Sequence, residues 1–190
     1  PFSQVKTNSV YCYFQCSIQF SDVFLDSLSS MEYFIYLYQL NQIPMPNTYT
    51  QVYVHFVFAV KYRKSVISKE WKEEMHRYIT GIVQNNKHKM LAINSVADHL
   101  HMLVGLHTEQ SLSKLMELVK GDSSEFINKK KFTAFYFQWQ GGYGAFSNSK
   151  SQIDGVIKYI ADQEKHHAKK TFLEEYIELL DKYNIDYDKR

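Results

Sequence analysis

The residues best placed to do chemistry are His99 and His101, separated by one leucine within the stretch HLHMLVGL. An extended chain points successive side chains to opposite faces, so His99, His101, Leu103 and Gly105 share one face and Leu100, Met102, Val104 and Leu106 the other. The second set is wholly apolar and suits a core. The first sets two imidazoles side by side, and two neutral imidazoles can grip one divalent cation. The plainer explanation is a pair of surface histidines on an open sheet face, since the chain has eight histidines and such a triplet arises easily by chance.

A second pair is Tyr159 and Gln163, four residues apart, which on a helix places them on one face one turn from each other. A phenol can act as a nucleophile, and an amide oxygen can ligate a hard cation. Tyr159 is one of fifteen tyrosines, and ordinary packing would account for it if the histidines were not there. His166 and His167 are rival ligands, with His167 one turn beyond Gln163. Their simpler reading is a solvated helix end, where cationic imidazoles suit the C-terminal dipole.

The elements that must bring these groups together are legible from residue 49 onward. Residues 49–61 (YTQVYVHFVFAVK) are β-branched and aromatic on both faces, as in a central strand. His55 lies in this strand and is expected to pack within the sheet. Residues 68–87 predict a helix capped by Ser68, with Glu70 in its first turn. Residues 90–96 and 99–106 predict two strands of a hairpin joined by Ala97-Asp98. Residues 111–130 predict a helix with Leu112, Leu115, Val119, Phe126 and Ile127 toward the core and Lys114 and Lys120 away from it. Residues 135–138 predict a fourth strand, 141–144 a glycine-rich loop, and 152–169 and 171–183 two further helices. The order β-α-β-β-α-β is that of an α+β, ferredoxin-like split βαβ sandwich with an antiparallel sheet and appended C-terminal helices. Many functions use that fold, so the site has to carry the functional argument.

Bulk properties set outer bounds. The 190 residues are enough for one domain with a real core, and 45% hydrophobic with 22% charged residues is an ordinary globular balance. A net charge of +2 is too weak by itself to indicate nucleic-acid binding. Cys12 and Cys16 are the only cysteines, so nothing later in the chain can form a disulfide, as suits a reducing compartment. Their CxxxC spacing has no neighbouring Cys or His pair to complete a zinc site. No apolar run approaches the roughly 20 residues a membrane span needs. Residues 1–44 are rich in Ser, Phe, Tyr and Gln, carry few charges and show no clean period. They read as a leader outside the functional domain, which is expected over residues 45–190; the competing reading is a genuine extra helix over 23–40. The chain begins with Pro1 rather than Met, as a fragment, a processed product or an upstream-initiated reading would.

Four stretches, in this order, carry a resemblance: MPNTYTQVYVHFVFAVKYR, ADHLHMLVGL, WQGGYGAFSNS and VIKYIADQEKHH. Together they resemble the small HUH transposases of the insertion sequence 200/605 group, from about Met45 to Arg190. The family's HUH motif falls on His99 and His101, its catalytic tyrosine on Tyr159, and its third metal ligand on Gln163. The resemblance implies a metal-dependent DNA transposase that cleaves and rejoins single-stranded DNA through a 5′-phosphotyrosine and so mobilises an insertion sequence. It implies a homodimer acting on hairpin-bearing DNA in the cytoplasm of a prokaryotic cell. It also implies a C-terminus that continues a few residues further than Arg190. A neutral His₂Gln donor set without thiolate suits Mg²⁺ or Mn²⁺. Lys61, Arg63, Lys64, Lys114, Lys120 and the run 129–131 are candidates for phosphate contacts, and Trp139 and Tyr143 either stack on bases or pack in the protein. The competing functions are a non-catalytic single-strand-binding module of the same fold and an inactive or domesticated HUH relative.

Overall fold

Alternating valines and aromatics drive Val52–Ala59 into strand β1, which is buried from Val54 onward. The computed structural model describes residues 49–167 and 170–187. The leader reading of 1–44, with its cysteines and the competing helix over 23–40, lies outside the described residues. Beside β1 stand β2 (Lys89–Ser95), β3 (His99–Leu106) and β4 (Gly144–Asn148), in the order β2-β3-β1-β4. Every neighbouring pair is antiparallel. With helices α1 (Lys69–Asn85) and α2 (Leu112–Lys130) this is the α+β split βαβ arrangement the residue pattern predicts. No helix among the described residues is long and apolar enough to cross a membrane.

The two faces of the sheet do different work. Phe56, Phe58, Leu100, Met102 and Val104 pack against Trp71, Met75, Ile79 and Val83 of α1 and Leu115, Val119 and Ile127 of α2. That is the main core, and it takes the apolar face of β3 predicted from alternation. On the other face Leu103 packs with Ile153 and Ile160 of α3 (Ile153–Ala161), and Val57 and Phe146 pack with Leu179 and Leu180 of α5 (Phe172–Lys182). A sheet covered on both sides explains why β1 has no polar face.

Several expectations need correction. The helix predicted over 152–169 is broken: a 3₁₀ turn (Lys150–Gln152) leads into α3, and a separate short helix α4 (Gln163–His167) follows. The break falls at Asp162, where Asn94 Nδ2 donates to the Ile160 and Ala161 carbonyl oxygens at 2.8 and 3.1 Å. A side chain from β2 thereby satisfies the carbonyls a helix end leaves free. Residues 135–138 form no strand, because the Asn128 side chain engages both the N–H and the C=O of Phe137, the groups a ladder would need. The fourth strand is Gly144–Asn148 instead, so Gly144 belongs to a strand and not to the loop. Ser68 makes no side-chain cap, although Ser111 does cap α2, its Oγ accepting from the Lys114 N–H.

His76 lies buried on the core-facing side of α1, its Nε2 3.0 Å from Ser95 Oγ. Burial first, then the nearby Lys72, lowers its pKa to about 4. Because an unfolded histidine titrates near 6.5, the unfolded chain takes up this proton first as pH falls. The stability associated with neutral His76 is therefore complete above about pH 6.5 and lost as pH drops toward 4, by up to about 3 kcal/mol. Urea unfolding at pH 7, 5.5 and 4.5 should show that decline, and His76→Gln should flatten it. An unchanged pH slope in the variant would assign the decline to other groups.

Candidate active site

The imidazoles of β3 are not on an open surface. His99, His101 and Gln163 are each 0% exposed, covered by α3, α4 and α5. The alternative of two solvated histidines is thereby excluded. Each imidazole is held from behind by one partner. His99 Nδ1 lies 2.7 Å from Asp98 Oδ1, and since a carboxylate only accepts, Nδ1 carries a proton and Nε2 presents a lone pair whenever the ring is neutral. His101 Nδ1 lies 3.0 Å from Nε2 of His55. Burial, and then the neighbouring His101, pushes the His55 pKa down to about 3, so His55 is neutral and its Nε2 can accept from His101 Nδ1. The expectation that His55 merely packs in the sheet is therefore incomplete: it orients His101, as partners behind metal-ligating imidazoles do.

On the inner side, His99 Nε2, His101 Nε2 and Gln163 Oε1 are buried without a hydrogen-bond partner. A buried polar atom left in this way costs free energy, and two such imidazole nitrogens facing the Glu175 carboxylate that also holds the Gln163 amide call for an occupant. The His99, His101, His167 and Glu175 ligand atoms lie within 4.8 Å of one another, a grouping able to hold a metal ion. The orphaned nitrogen and oxygen atoms, with no thiolate beside them among the described residues, fit a divalent cation bound by nitrogen and oxygen.

The carboxylate of Glu175 ties these groups to Tyr159. Its Oε1 accepts from the Tyr159 hydroxyl in a short hydrogen bond and from Gln163 Nε2 at 3.0 Å. Its Oε2 lies 3.4 Å from both His99 Nε2 and His101 Nε2 and 2.8 Å from His167 Nε2. The structure thus brings together all four residues singled out in the sequence, His99, His101, Tyr159 and Gln163, and adds Glu175, His55 and Asp98. Glu175 had a signal: it occupies the stripe of α5 otherwise made of Tyr176, Leu179, Leu180 and Tyr183, where an apolar residue is expected. His167 is no solvated helix end, its side chain being 14% exposed, whereas His166 is exposed and tilts against the Tyr159 ring at 5.1 Å.

Burial alone would raise the Glu175 pKa, but His101 and His99 beside it outweigh that and hold the carboxyl well below the usual range. Burial, then the Glu175 carboxylate, raises Tyr159 above an ordinary phenol, so its hydroxyl is protonated at rest. Burial opposes charge on both histidines of the pair. In His99 the Asp98 and Glu175 carboxylates prevail and raise the pKa, while in His101 burial prevails and lowers it. Tyr159 and Glu175 line a cleft of about 500 Å³ with His55, Asn148 and Lys182. Tyr159 itself is half-buried: its hydroxyl bonds to Glu175 and its side chain lines this cleft.

The candidate DNA contacts sort differently. Lys114, Lys129 and Lys130 pair with Glu117, Glu125 and Glu74. Lys120 does not point freely away from the core, because its ammonium donates to the Gln140 and Gly142 carbonyl oxygens at 2.7 Å each. Trp139 is a core residue whose indole N–H donates to Ser123 Oγ, and Tyr143 packs against the same core.

This antiparallel α+β sheet, with its histidine pair opposite a tyrosine helix, belongs to a transposase. More particularly, the chain belongs to the family described as "Transposase IS200 like", whose model matches residues 48–163. The IS200 transposases of Salmonella typhimurium and Salmonella typhi are each 25% identical to it over 118 residues, 58% of this chain and 78% of theirs. The ISDra2 transposase TnpA of Deinococcus radiodurans is 22% identical over 122 residues, 60% of this chain and 84% of its own. Two solved structures share the fold at a TM-score of 0.50. One is a candidate transposase from Deinococcus radiodurans, 20% identical, covering 64% of this chain and 97% of its own. The other is a REP-associated tyrosine transposase bound to a REP hairpin, 13% identical, covering 65% and 73%.

Asn94 fixes the break that separates the Tyr159 helix from the Gln163 helix. Asn94→Ala should lower stability by about 1 kcal/mol in urea unfolding, the usual worth of such a hydrogen bond. It should also speed amide exchange across 163–167. Unchanged exchange there would show that Asn94 does not set this junction.

Proposed function

We propose that this transposase cuts and rejoins single-stranded DNA by transesterification, with Tyr159 as the nucleophile. The observation that carries the reading is a nucleophilic hydroxyl hydrogen-bonded to the same carboxylate around which three orphaned ligand atoms are gathered. His99, His101 and Gln163 would hold a divalent cation, Mg²⁺ or Mn²⁺. When bound, such an ion supplies Lewis-acid neutralisation of phosphate charge.

The chain's own residues account for the rest. Tyr159 donates to Glu175 Oε1, which leaves the lone pairs of Oη free to attack phosphorus and gives the leaving proton an acceptor. A bond forms between Oη and the phosphorus, the bond to the 3′ oxygen breaks, and that oxygen takes up a proton to leave as a 3′-OH. The product is a 5′-phosphotyrosine, which retains the energy of the original ester, so a new 3′-OH can reverse the step without ATP. Asp98 and His55 keep the two imidazoles aimed. The cleft beside Tyr159 has room for the chain flanking the scissile bond.

In this reading residues 45–190 form the transposase domain, the substrate is hairpin-bearing single-stranded DNA at the ends of an insertion sequence, and the protein works as a homodimer in the cytoplasm. The REP hairpin held by one of the structural neighbours supports the substrate class.

Incubation with single-stranded DNA and Mn²⁺, read on a denaturing gel, should give a covalent protein–DNA adduct. Tyr159→Phe should abolish the adduct while DNA binding stays within about threefold, and an undiminished adduct in that variant would overturn the assignment. Wild-type binding without any adduct would leave a binding module of the same fold. Asp98→Ala should raise the Mn²⁺ concentration needed for half-maximal adduct by about 10–100-fold, the usual effect of losing the partner behind a ligating imidazole.

A further inference from the structure

We infer that Glu175 is a fourth protein ligand of the cation, a carboxylate carried into the site by α5, and that it joins the nucleophile to the metal centre through its two oxygens. The inference rests on the reading of His99, His101 and Gln163 as ligands and extends it to a residue that lies beyond the 48–163 span matched by the family model.

The first support is the arrangement of acceptor atoms. Asp98 takes the Nδ1 proton of His99, so Nε2 of the neutral ring is a lone pair. With Nδ1 of His101 donating to His55, its Nε2 is a lone pair as well. Glu175 Oε2 stands 3.4 Å from each, yet neither contact is a hydrogen bond, for both nitrogens are without a partner. With both rings neutral, two imidazole lone pairs converge on Oε2, whose one partner here is His167 Nε2, and positive charge between the three atoms relieves their repulsion. The separations suit that occupant: ligands about 2.1 Å from a shared cation stand about 3.0–3.5 Å apart.

The second support is the division of labour within the carboxylate. Oε1 accepts from Tyr159 and from Gln163 Nε2, which turns the Gln163 amide so that its own Oε1 is left as a free ligand atom. Oε1 therefore orients the nucleophile and the amide, and Oε2 faces the imidazoles.

The third support is the delivery. Glu175 is 4% exposed in a helix seated by Phe172, Tyr176, Leu179 and Leu180 against Val57 and Phe146. Gly144 makes room for that seat, since a Cβ there would come within 3.0 Å of the Tyr176 ring and 2.8 Å of the Phe146 ring. Apolar packing holds α5 in place, so the carboxylate is presented to the site before any cation arrives. His167 Nε2 reaches the same Oε2 at 2.8 Å while its Nδ1 faces the Lys170 carbonyl oxygen, which makes it the carboxylate's supporting partner.

The test is calorimetric titration of Mn²⁺ into the metal-stripped full chain, with no DNA present. Glu175→Gln keeps one acceptor oxygen for Tyr159, removes the charge and turns the oxygen that faces the imidazoles into an N–H donor. It should bind Mn²⁺ at least tenfold more weakly than wild type, while its metal-free melting temperature is unchanged or higher. His167→Gln should stay within about threefold of wild type. Equal Mn²⁺ affinity in wild type and Glu175→Gln overturns the inference and leaves the tyrosine chemistry standing, as does a larger loss in His167→Gln than in Glu175→Gln. A wild-type chain that takes up no Mn²⁺ overturns the metal reading itself. If Glu175→Gln does not fold, Glu175→Ala is judged by the same affinity criterion.

Discussion

Lone pairs confined in a buried space govern the centre of this molecule. His99 Nε2, His101 Nε2 and Gln163 Oε1 are buried and unpartnered, and the Glu175 carboxylate stands among them. Water would satisfy such atoms at a surface. In the interior each costs roughly 1–3 kcal/mol unless something donates to it. The surroundings tie down the outer side of every group: Asp98 behind His99, His55 behind His101, Tyr159 and the Gln163 amide on the far oxygen of Glu175, and His167 on its near one. Such ordering of acceptors around a gap is how proteins present a site to a hard or borderline cation.

The sheet makes this possible by separating its faces. One face, with α1 and α2, buries Phe56, Phe58, Leu100, Met102 and Val104 and supplies the stability of the domain. The other face carries His55, His99 and His101 on neighbouring antiparallel strands, with Ala59 opposite His99 and Val57 opposite His101 in the register. Rigid strands fix the imidazoles, and three short helices lay the tyrosine, the amide and the carboxylate over them. A mobile loop could not hold five polar groups in hydrogen-bonding range of one another.

Tyr159 has contrary neighbours. Burial and the Glu175 charge keep its proton on, so the resting enzyme is not a phenolate waiting to react with whatever enters. Its ring is only half-buried and lines a cleft of about 500 Å³. Under the chemistry proposed for it, reactivity therefore depends on what arrives in the cleft and beside the carboxylate. The family model matches the chain through Gln163, and α5 with its carboxylate follows after that span.

Much of this was legible in the chain itself, and the remainder was not for definable reasons. Strict alternation in HLHMLVGL put His99 and His101 on one face and an apolar set on the other, because a strand has a period of two whatever surrounds it. The spacing of Tyr159 and Gln163 kept them together even though the helix between them breaks at Asp162, since four residues span about one turn on either side of the kink. The break could not be read, because its cause is Asn94, a residue of β2 that only folding brings to the helix end. The fourth strand was misplaced for the same kind of reason: local β propensity favoured 135–138, but Asn128 takes the backbone groups of Phe137, and the bare Cβ position of Gly144 lets α5 close over the strand that forms instead. The clearest case is Glu175. The sequence showed an acid within an apolar stripe; its purpose appears only when α5 lies across β3, because the convergence of a carboxylate oxygen and two imidazole nitrogens is a property of distances, and distances between remote residues are set by packing.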